Sequence, residues 1–345
     1  MFQRIAIMGA GSLGTILGAH IAKHRQVDLI DANKAHVDAL NKNGAKVIGF
    51  DEFTVPVTAL TPEEMTGNYD LFIYLAKQLY NKDCLAQMKA HSHDKTIFCT
   101  GQNGMPELAL EKEFGEKRVL GAPVNWGATY VEPGVSKLTS TVASCSFTLG
   151  TMDGSITPEL LEVKKILEYM CPVVISENLM GLRWCKLLIN ATLSGMSTVM
   201  GGTFGDVMDD PIAVAAAALI GRELVRAVEA EGTRMEPLHL GPNEYDFTEI
   251  YAFDNLKERE KTIEKIRSVF VPARALEASM LQDLQKGLKC EIDYINGEVS
   301  KLGKKHGVPT PVCDKVIEIV KKLENGESKL GRHNLKEMEF VKDMA

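Results

Sequence analysis

The sequence predicts an α/β fold: a doubly wound, mostly parallel sheet followed by an all-helical second half. Three observations carry this. Short apolar runs alternate with helical periodicity up to about residue 175, strand signals fade after Ser176, and helical periodicity fills the remainder. Strands alternating with helices indicate βαβ units and a parallel sheet. A chain of 345 residues suggests two domains at roughly 100–200 residues each. They are expected at 1–177 and 178–345, with the boundary near 176–180.

In chain order, residues 5–8 read as a strand, 13–23 as a helix, 27–30 as a strand and 35–43 as a helix. Further strands are expected at 71–75, 96–100, 119–120, 146–149 and 172–175. Thr157-Pro158-Glu159 is a helix start, with Thr as cap and Pro at the first helical position. Glu63-Glu64 reads as a first turn, and Glu231-Gly232 as a helix end. The second half contains helical segments at 182–199, 213–231, 255–270, 275–301 and 312–325. The Ala-rich helix at 211–231 suits either the core of the second domain or the pairing of two subunits. The polar tail, 326–345, is expected to be loosely held.

Composition removes several function classes. Hydrophobic residues make up 45% and charged residues 25%, as in globular proteins. With 39 basic and 46 acidic residues the net charge is -7, without the basic excess of a nucleic-acid binder. The densest basic stretch, 257–267, alternates with Glu258, Glu260 and Glu264 and reads as a solvated helix face. The longest apolar run, 212–220, is far short of the roughly 20 residues of a membrane span. No signal peptide is evident, so a cytoplasmic protein is expected. Seven scattered cysteines without C-x-x-C argue against disulfides or zinc. Cys185 and Cys290 read as packing thiols.

The first strand runs into Gly9-Ala10-Gly11-Ser12-Leu13-Gly14, a G-x-G-x-x-G string that opens a helix. A second strand ends in Asp31, 22 residues after Gly9. In this context the string is a dinucleotide-binding fingerprint. Gly9 permits the turn, Gly11 lets the backbone approach a pyrophosphate, and Gly14 lets the helix approach the strand. Ser12 and Leu13 supply amides at the helix N-terminus. Asp31 can accept from a ribose 2′-OH and would repel a 2′-phosphate, which favours NAD over NADP. Lys34, three residues on, could contact such a phosphate and pulls the other way.

Lys186, Asn190 and Ser194 are spaced i, i+4, i+8 in the second half, on one helix face with apolar neighbours. A lysine there can have its pKa lowered by desolvation, towards proton transfer at neutral pH. By spacing alone a snorkelling surface lysine beside a buried asparagine is the favoured reading.

The chain resembles the ketopantoate reductase (2-dehydropantoate 2-reductase) family. The matching pieces are Gly9 to Gly14, Ala76-Lys77-Gln78, Gln102-Asn103-Gly104-Met105, Glu132-Pro133-Gly134 and Arg183-Trp184-Cys185-Lys186 with Asn190. Ser279-Met280-Leu281-Gln282-Asp283, Glu291-Ile292-Asp293-Tyr294-Ile295-Asn296-Gly297 and Gly307-Val308-Pro309-Thr310-Pro311 complete them. The resemblance implies a Rossmann domain, an all-helical domain and an active site in the cleft between them. It implies NAD(P)H-dependent reduction of a 2-oxo acid to a D-2-hydroxy acid, with NADPH the family's usual cofactor. Lys186 matches the proton donor and Glu291 its acidic active-site partner, which also lies beside the cofactor. Asn190 matches a hydroxyl-binding asparagine and Ser279 a carboxylate binder. Asn103 matches the residue beside nicotinamide and substrate, and Lys77 a cofactor-side lysine. Without the resemblance, Ser279 would read as a helix cap and Glu291 as a surface carboxylate. Gly287 between them could mark a bend. A homodimer is compatible with the family; no metal is expected.

The chain departs from the family pattern in several places. Ser194 and Phe204 stand where the family carries substrate-gripping asparagines, Asp31 where a basic residue is common, and Asn125-Trp126 near the nicotinamide. The stretch 238–271 is longer than usual, and the tail is extra. Asp31 and Phe204 suit NAD-dependent D-2-hydroxyacid dehydrogenases of the D-mandelate type, which take bulky 2-oxo acids. Ketopantoate reduction stays the first expectation, and a non-catalytic NAD(P) sensor is a remote one. His20 and His24, at i, i+4, lack an evident third ligand and are expected on a solvated helix face. His91 and His93 are loop residues, and Trp126 and Trp184 are read as packing residues.

Overall fold

The computed structural model describes residues 2–240 and 243–345. Gly241 and Pro242, inside the long 238–271 stretch, lie outside the described residues. Backbone contacts divide the chain into two compact units, Met1–Leu179 and Met180–Ala345.

In the first unit the strands are β1 (Ile5–Met8), β2 (Asp28–Ile30), β3 (Ala45–Gly49), β4 (Phe53–Val55), β5 (Thr58–Leu60) and β6 (Tyr69–Tyr74). Then come β7 (Ser92–Thr100), β8 (Val119–Gly121), β9 (Ala128–Glu132), β10 (Val135–Leu138), β11 (Phe147–Thr151) and β12 (Val173–Ile175). The helices are α1 (Ser12–Ala22), α2 (Lys34–Asn43), α3 (Asn81–Ala90), α4 (Pro106–Phe114) and α5 (Pro158–Leu167). Eight strands form one sheet in the order β12-β11-β8-β7-β6-β1-β2-β5. All its ladders are parallel except β8–β11. The chain leaves β1 to one side for β2 and returns on its other side as β6. That strand-order reversal is where open α/β sheets bind ligands at the strands' carboxyl ends. Thr157 Oγ1 accepts from Leu160 N–H, and Pro158 opens α5.

A second sheet, β4-β3-β10-β9, has no counterpart in the sequence reading. Its strands are three to five residues long and partly polar, as in β3 with its alternating burial, and such segments look like loops. The sheet packs on α1, which corrects the expectation of a solvated first helix. α1 is buried continuously from Gly14 to Ile21. Small residues allow this: a Cβ on Gly18 would sit 2.9 Å from the Leu29 side chain.

The second unit is helical apart from a two-stranded ribbon, β13 (Leu238–Leu240) with β14 (Asn243–Tyr245). Its helices are α6 (Leu179–Ile189), α7 (Gly195–Met200), α8 (Phe204–Asp209), α9 (Pro211–Glu231) and α10 (Phe247–Ile250). They continue with α11 (Leu256–Val269), α12 (Ser279–Gln285), α13 (Asn296–His306) and α14 (Pro311–Glu324). α9 is the hub. It is buried from Ala213 to Val225, covered by α8, α11, α13, α14 and the C-terminal segment. Its own chain therefore covers the Ala-rich face, which corrects the subunit-pairing alternative for this helix. Among the described residues no helix is long and apolar enough to cross a membrane.

Three more expectations change. The segment 182–199 is not one regular helix: α6 passes into α7 through a π-helical turn, Asn190–Ser194. The segment 275–301 is not one helix either. α12 ends, Gly287 turns with φ +70°, and α13 begins only at Asn296. The tail is held tightly. Residues Arg332–Asp343 form a run of 3₁₀ turns that buries Leu335, Met338 and Val341. Arg259, itself buried, donates to the carbonyls of Val341 (2.7 Å), Met344 (2.5 Å) and Lys342 (3.2 Å). The sequence hid this because the tail is polar on its outer face and 3₁₀ periodicity differs from that of an α-helix.

Candidate active site

In the first unit the predicted residues collect at the carboxyl ends of β1, β6 and β7. Gly9 has φ +96°, and a Cβ on it would lie 2.3 Å from the backbone nitrogen of Ala76. A Cβ on Gly14 would lie 2.2 Å from Gly9 O. At Gly11 a Cβ would meet nothing within 4 Å. No side chain caps α1, and Ser12 and Leu13 form its half-buried first turn. A loop sealed on two sides and open on the third, at a helix N-terminus, fits a pyrophosphate.

The neighbouring loops are tied to each other. Leu75 and Ala76 N–H donate to Met8 O. Gln102 Nε2 donates to Ala76 O (2.5 Å), and Gln78 Nε2 donates to Asn103 O (2.6 Å). Lys77 and Asn103, each half-buried, are thereby held on adjoining loops. Asp31 follows β2 and accepts from Asn33 N–H (2.9 Å). Lys34 is engaged by carboxylates: its Nζ is 2.5 Å from Asp38 and 3.7 Å from Glu64.

His36 braces this region, and nothing in the sequence reading singled it out. It is 1% exposed. Its Nδ1 accepts from Gly134 N–H (2.9 Å), so the proton sits on Nε2, which donates to Ala10 O (2.8 Å). Thr15 Oγ1 donates to the same carbonyl (2.6 Å). The Glu132-Pro133-Gly134 turn is thus connected to the glycine loop through one imidazole.

In the second unit Lys186 lies on α6, half-buried. Desolvation, helped by the Arg183 guanidinium, lowers its pKa to about 7. The π turn places Ser194 Oγ 3.4 Å from Asn190 Oδ1. A π turn leaves carbonyls without their usual partners, and π turns concentrate at functional sites. Here Thr192 Oγ1 donates to Leu188 O (2.8 Å), and Asn296 Nδ2 donates to Ala191 O (3.0 Å). α12 packs against the same turn. Ser279 is its first, exposed residue and not its cap, which is Ala278. Glu291 is half-buried in the segment leading to α13. Asn296 was quoted only as part of a motif; its partner lies 105 residues away in sequence, which no local pattern reveals.

The features set aside behave as packing groups. Burial, then the Glu236 and Asp246 carboxylates, push the Cys185 thiol up to about 12; burial and then Glu324 do the same at Cys290. His20 is pushed down to about 4, chiefly by burial. Trp126 is buried edge-on to Phe147. Among the described residues no group of three or more His, Cys, Asp or Glu could hold a metal ion.

Family models place this arrangement. Residues 5–154 match the model described as ketopantoate reductase PanE/ApbA, and residues 178–324 match its C-terminal model. The chain belongs to the ketopantoate reductase family. The 2-dehydropantoate 2-reductase of Streptococcus pyogenes serotype M3 is 28% identical over 320 residues, 92% of this chain and 96% of that one. The 2-dehydropantoate 2-reductase of Archaeoglobus fulgidus is 27% identical over 326 residues, 94% of this chain and 99% of that one. A D-mandelate dehydrogenase structure with NADH and anilino(oxo)acetate has the same fold (TM-score 0.78, 24% identity, 94% of this chain and 99% of that one). Both ketopantoate reductase models thus fall on the pieces quoted from the sequence, one on each half of the chain.

Proposed function

We propose that this protein is a 2-dehydropantoate 2-reductase, reducing ketopantoate to D-pantoate with a nicotinamide cofactor. Residues 1–177 form the cofactor domain, with Gly9, Gly11, Ser12, Leu13, Gly14, Asp31, Lys77 and Asn103 holding the dinucleotide. Residues 178–345 form the catalytic domain. The observation that carries the reading is the place of Lys186: half-buried on α6, one turn before the Asn190–Ser194 π turn, where burial lowers its pKa.

When bound, the reduced nicotinamide supplies a hydride to the ketone carbon. Charge then develops on the ketone oxygen. The Lys186 ammonium stabilises that charge and donates the proton that completes the hydroxyl. With a pKa near 7, it both holds the proton at neutral pH and releases it readily. Asn190 and Ser194 orient the substrate's polar groups, Ser279 binds its carboxylate, and Glu291 acts as the acidic partner of Lys186 and lies beside the cofactor. Asn103, on the first unit, is assigned the nicotinamide contact.

NADH is the favoured cofactor. A 2′-phosphate near Asp31 would meet its carboxylate, and Lys34 is already paired with Asp38 and Glu64. A second reading, a D-2-hydroxyacid dehydrogenase for bulkier 2-oxo acids, draws support from Phe204. It stands in place of a family asparagine and is 6% exposed, so it grips no hydroxyl.

The test is the initial rate of cofactor oxidation with ketopantoate, comparing NADH and NADPH, then with phenylglyoxylate. Turnover of ketopantoate, faster with NADH, is expected. Turnover of phenylglyoxylate alone would replace the first reading by the second. No oxidation with any 2-oxo acid would sink both and favour a sensor.

A further inference from the structure

One aromatic ring on the first unit remains open to solvent beside the glycine loop. Tyr130 lies on β9, directly opposite Ser136 of β10. Residues paired across a ladder share a face, and Ser136 is fully buried in the sheet that packs on α1. Tyr130 therefore projects from the α1 side of that sheet, yet it is 37% exposed. Its ring centre lies 5.2 Å from that of His36, at 56°, and His36 is bonded to Ala10 O of the loop. Burial, then the Asp31 and Glu132 carboxylates, raise the pKa of its hydroxyl, which places Asp31 within electrostatic reach. A half-open ring against one loop anchor and near the β2 carboxylate has no packing role that requires its exposure.

We propose that Tyr130 forms one wall of the adenosine subsite, its ring covering the base or ribose whose 2′-hydroxyl meets Asp31. The inference rests on the cofactor reading above and extends it to a residue outside the G-x-G-x-x-G fingerprint. The second sheet then has a function: it carries an aromatic group to the side of the dinucleotide site that the parallel sheet leaves open. His36 sets the position of that ring relative to the loop.

The test is calorimetric titration of the full chain with ADP-ribose, which has the adenosine and pyrophosphate but no nicotinamide. Stacking of a base on an aromatic ring predicts that Tyr130→Ala and Tyr130→Leu weaken ADP-ribose binding by about 5- to 100-fold. Tyr130→Phe should stay within about twofold, because the ring face is kept. Val131→Ala, at the exposed neighbouring position of the same strand, serves as the control and should bind as wild type does. Unchanged ADP-ribose affinity in both Tyr130→Ala and Tyr130→Leu would overturn the inference and leave the cofactor reading standing. A wild-type protein that binds neither ADP-ribose nor NADH would overturn both.

Discussion

The side-chain amide of Asn296 donates to the carbonyl of Ala191 across 3.0 Å, joining the start of α13 to the π turn between α6 and α7. Asn296 is fully buried, and its partner carbonyl sits one residue past Asn190. The geometry makes Asn296 a positioning residue for the turn. Replacing it with Leu removes that bond, at a cost of about 0.5–1.5 kcal/mol in stability. The expected kinetic result is a rise in KM for the 2-oxo acid with little change in KM for NADH. Equal shifts in both constants would reduce Asn296 to a general stabiliser.

Lys186 sets the pH dependence of the proposed reaction. Its pKa is lowered to about 7, so the ammonium form declines above that pH. The kcat/KM for reduction should fall about tenfold per pH unit above it, and the reverse oxidation should rise through the same region. Lys186→Ala should lose on the order of 10²- to 10⁴-fold in kcat and the inflection with it. A profile flat from pH 6 to 9 in wild type would remove Lys186 from the acid role.

Cofactor choice should turn on Asp31. Asp31→Ser removes the charge that opposes a 2′-phosphate while leaving Lys34 in place. The ratio of kcat/KM for NADPH to that for NADH should rise about tenfold or more, equivalent to roughly 1.4 kcal/mol. An unaltered ratio would show that cofactor choice is made elsewhere.

Glu223 predicts a stability profile. It lies on α9, and its carboxylate accepts the Val312 and Cys313 N–H groups (2.9 Å each) at the start of α14. Burial outweighs these bonds and raises its pKa from 4.5 to about 7. A raised carboxyl pKa contributes stability that is full below 4.5 and is lost as pH rises through about 7. Glu223→Gln carries no charge, so its melting temperature relative to wild type should climb between pH 5 and 8. A constant difference would mean that Glu223 does not titrate in that range.

The tail offers a direct check on docking. Truncation after Asn325 removes the buried Leu335, Met338 and Val341 and the carbonyls to which the terminal guanidinium nitrogens of Arg259 donate. A loss of roughly 2–5 kcal/mol is expected, after the entropy regained by the tail is set against the burial. Thermal melts of the shortened chain would show it. An unchanged midpoint would mean that the tail contributes little.

The sequence by itself determined the parts whose signals are local. The glycine loop followed by a helix, Asp31 at the end of the second strand, the cap at Thr157 and every strand of the large sheet except β5 were legible. Each depends on a few adjacent residues or on one period. Lys186, Asn190 and Ser194 were legible as a spacing, and the family motifs supplied their roles. Only the tertiary structure decided the rest, because contacts distant in sequence carry it. The π turn is braced by Asn296, 105 residues away in sequence. The second sheet pairs β3 with β10, so Lys46 meets Val135 through short strands that look like loops. The tail is ordered by Arg259, and His36 joins the glycine loop to Gly134. The low pKa of Lys186 has the same origin: desolvation is a property of what packs around a group, and only folding brings those atoms together.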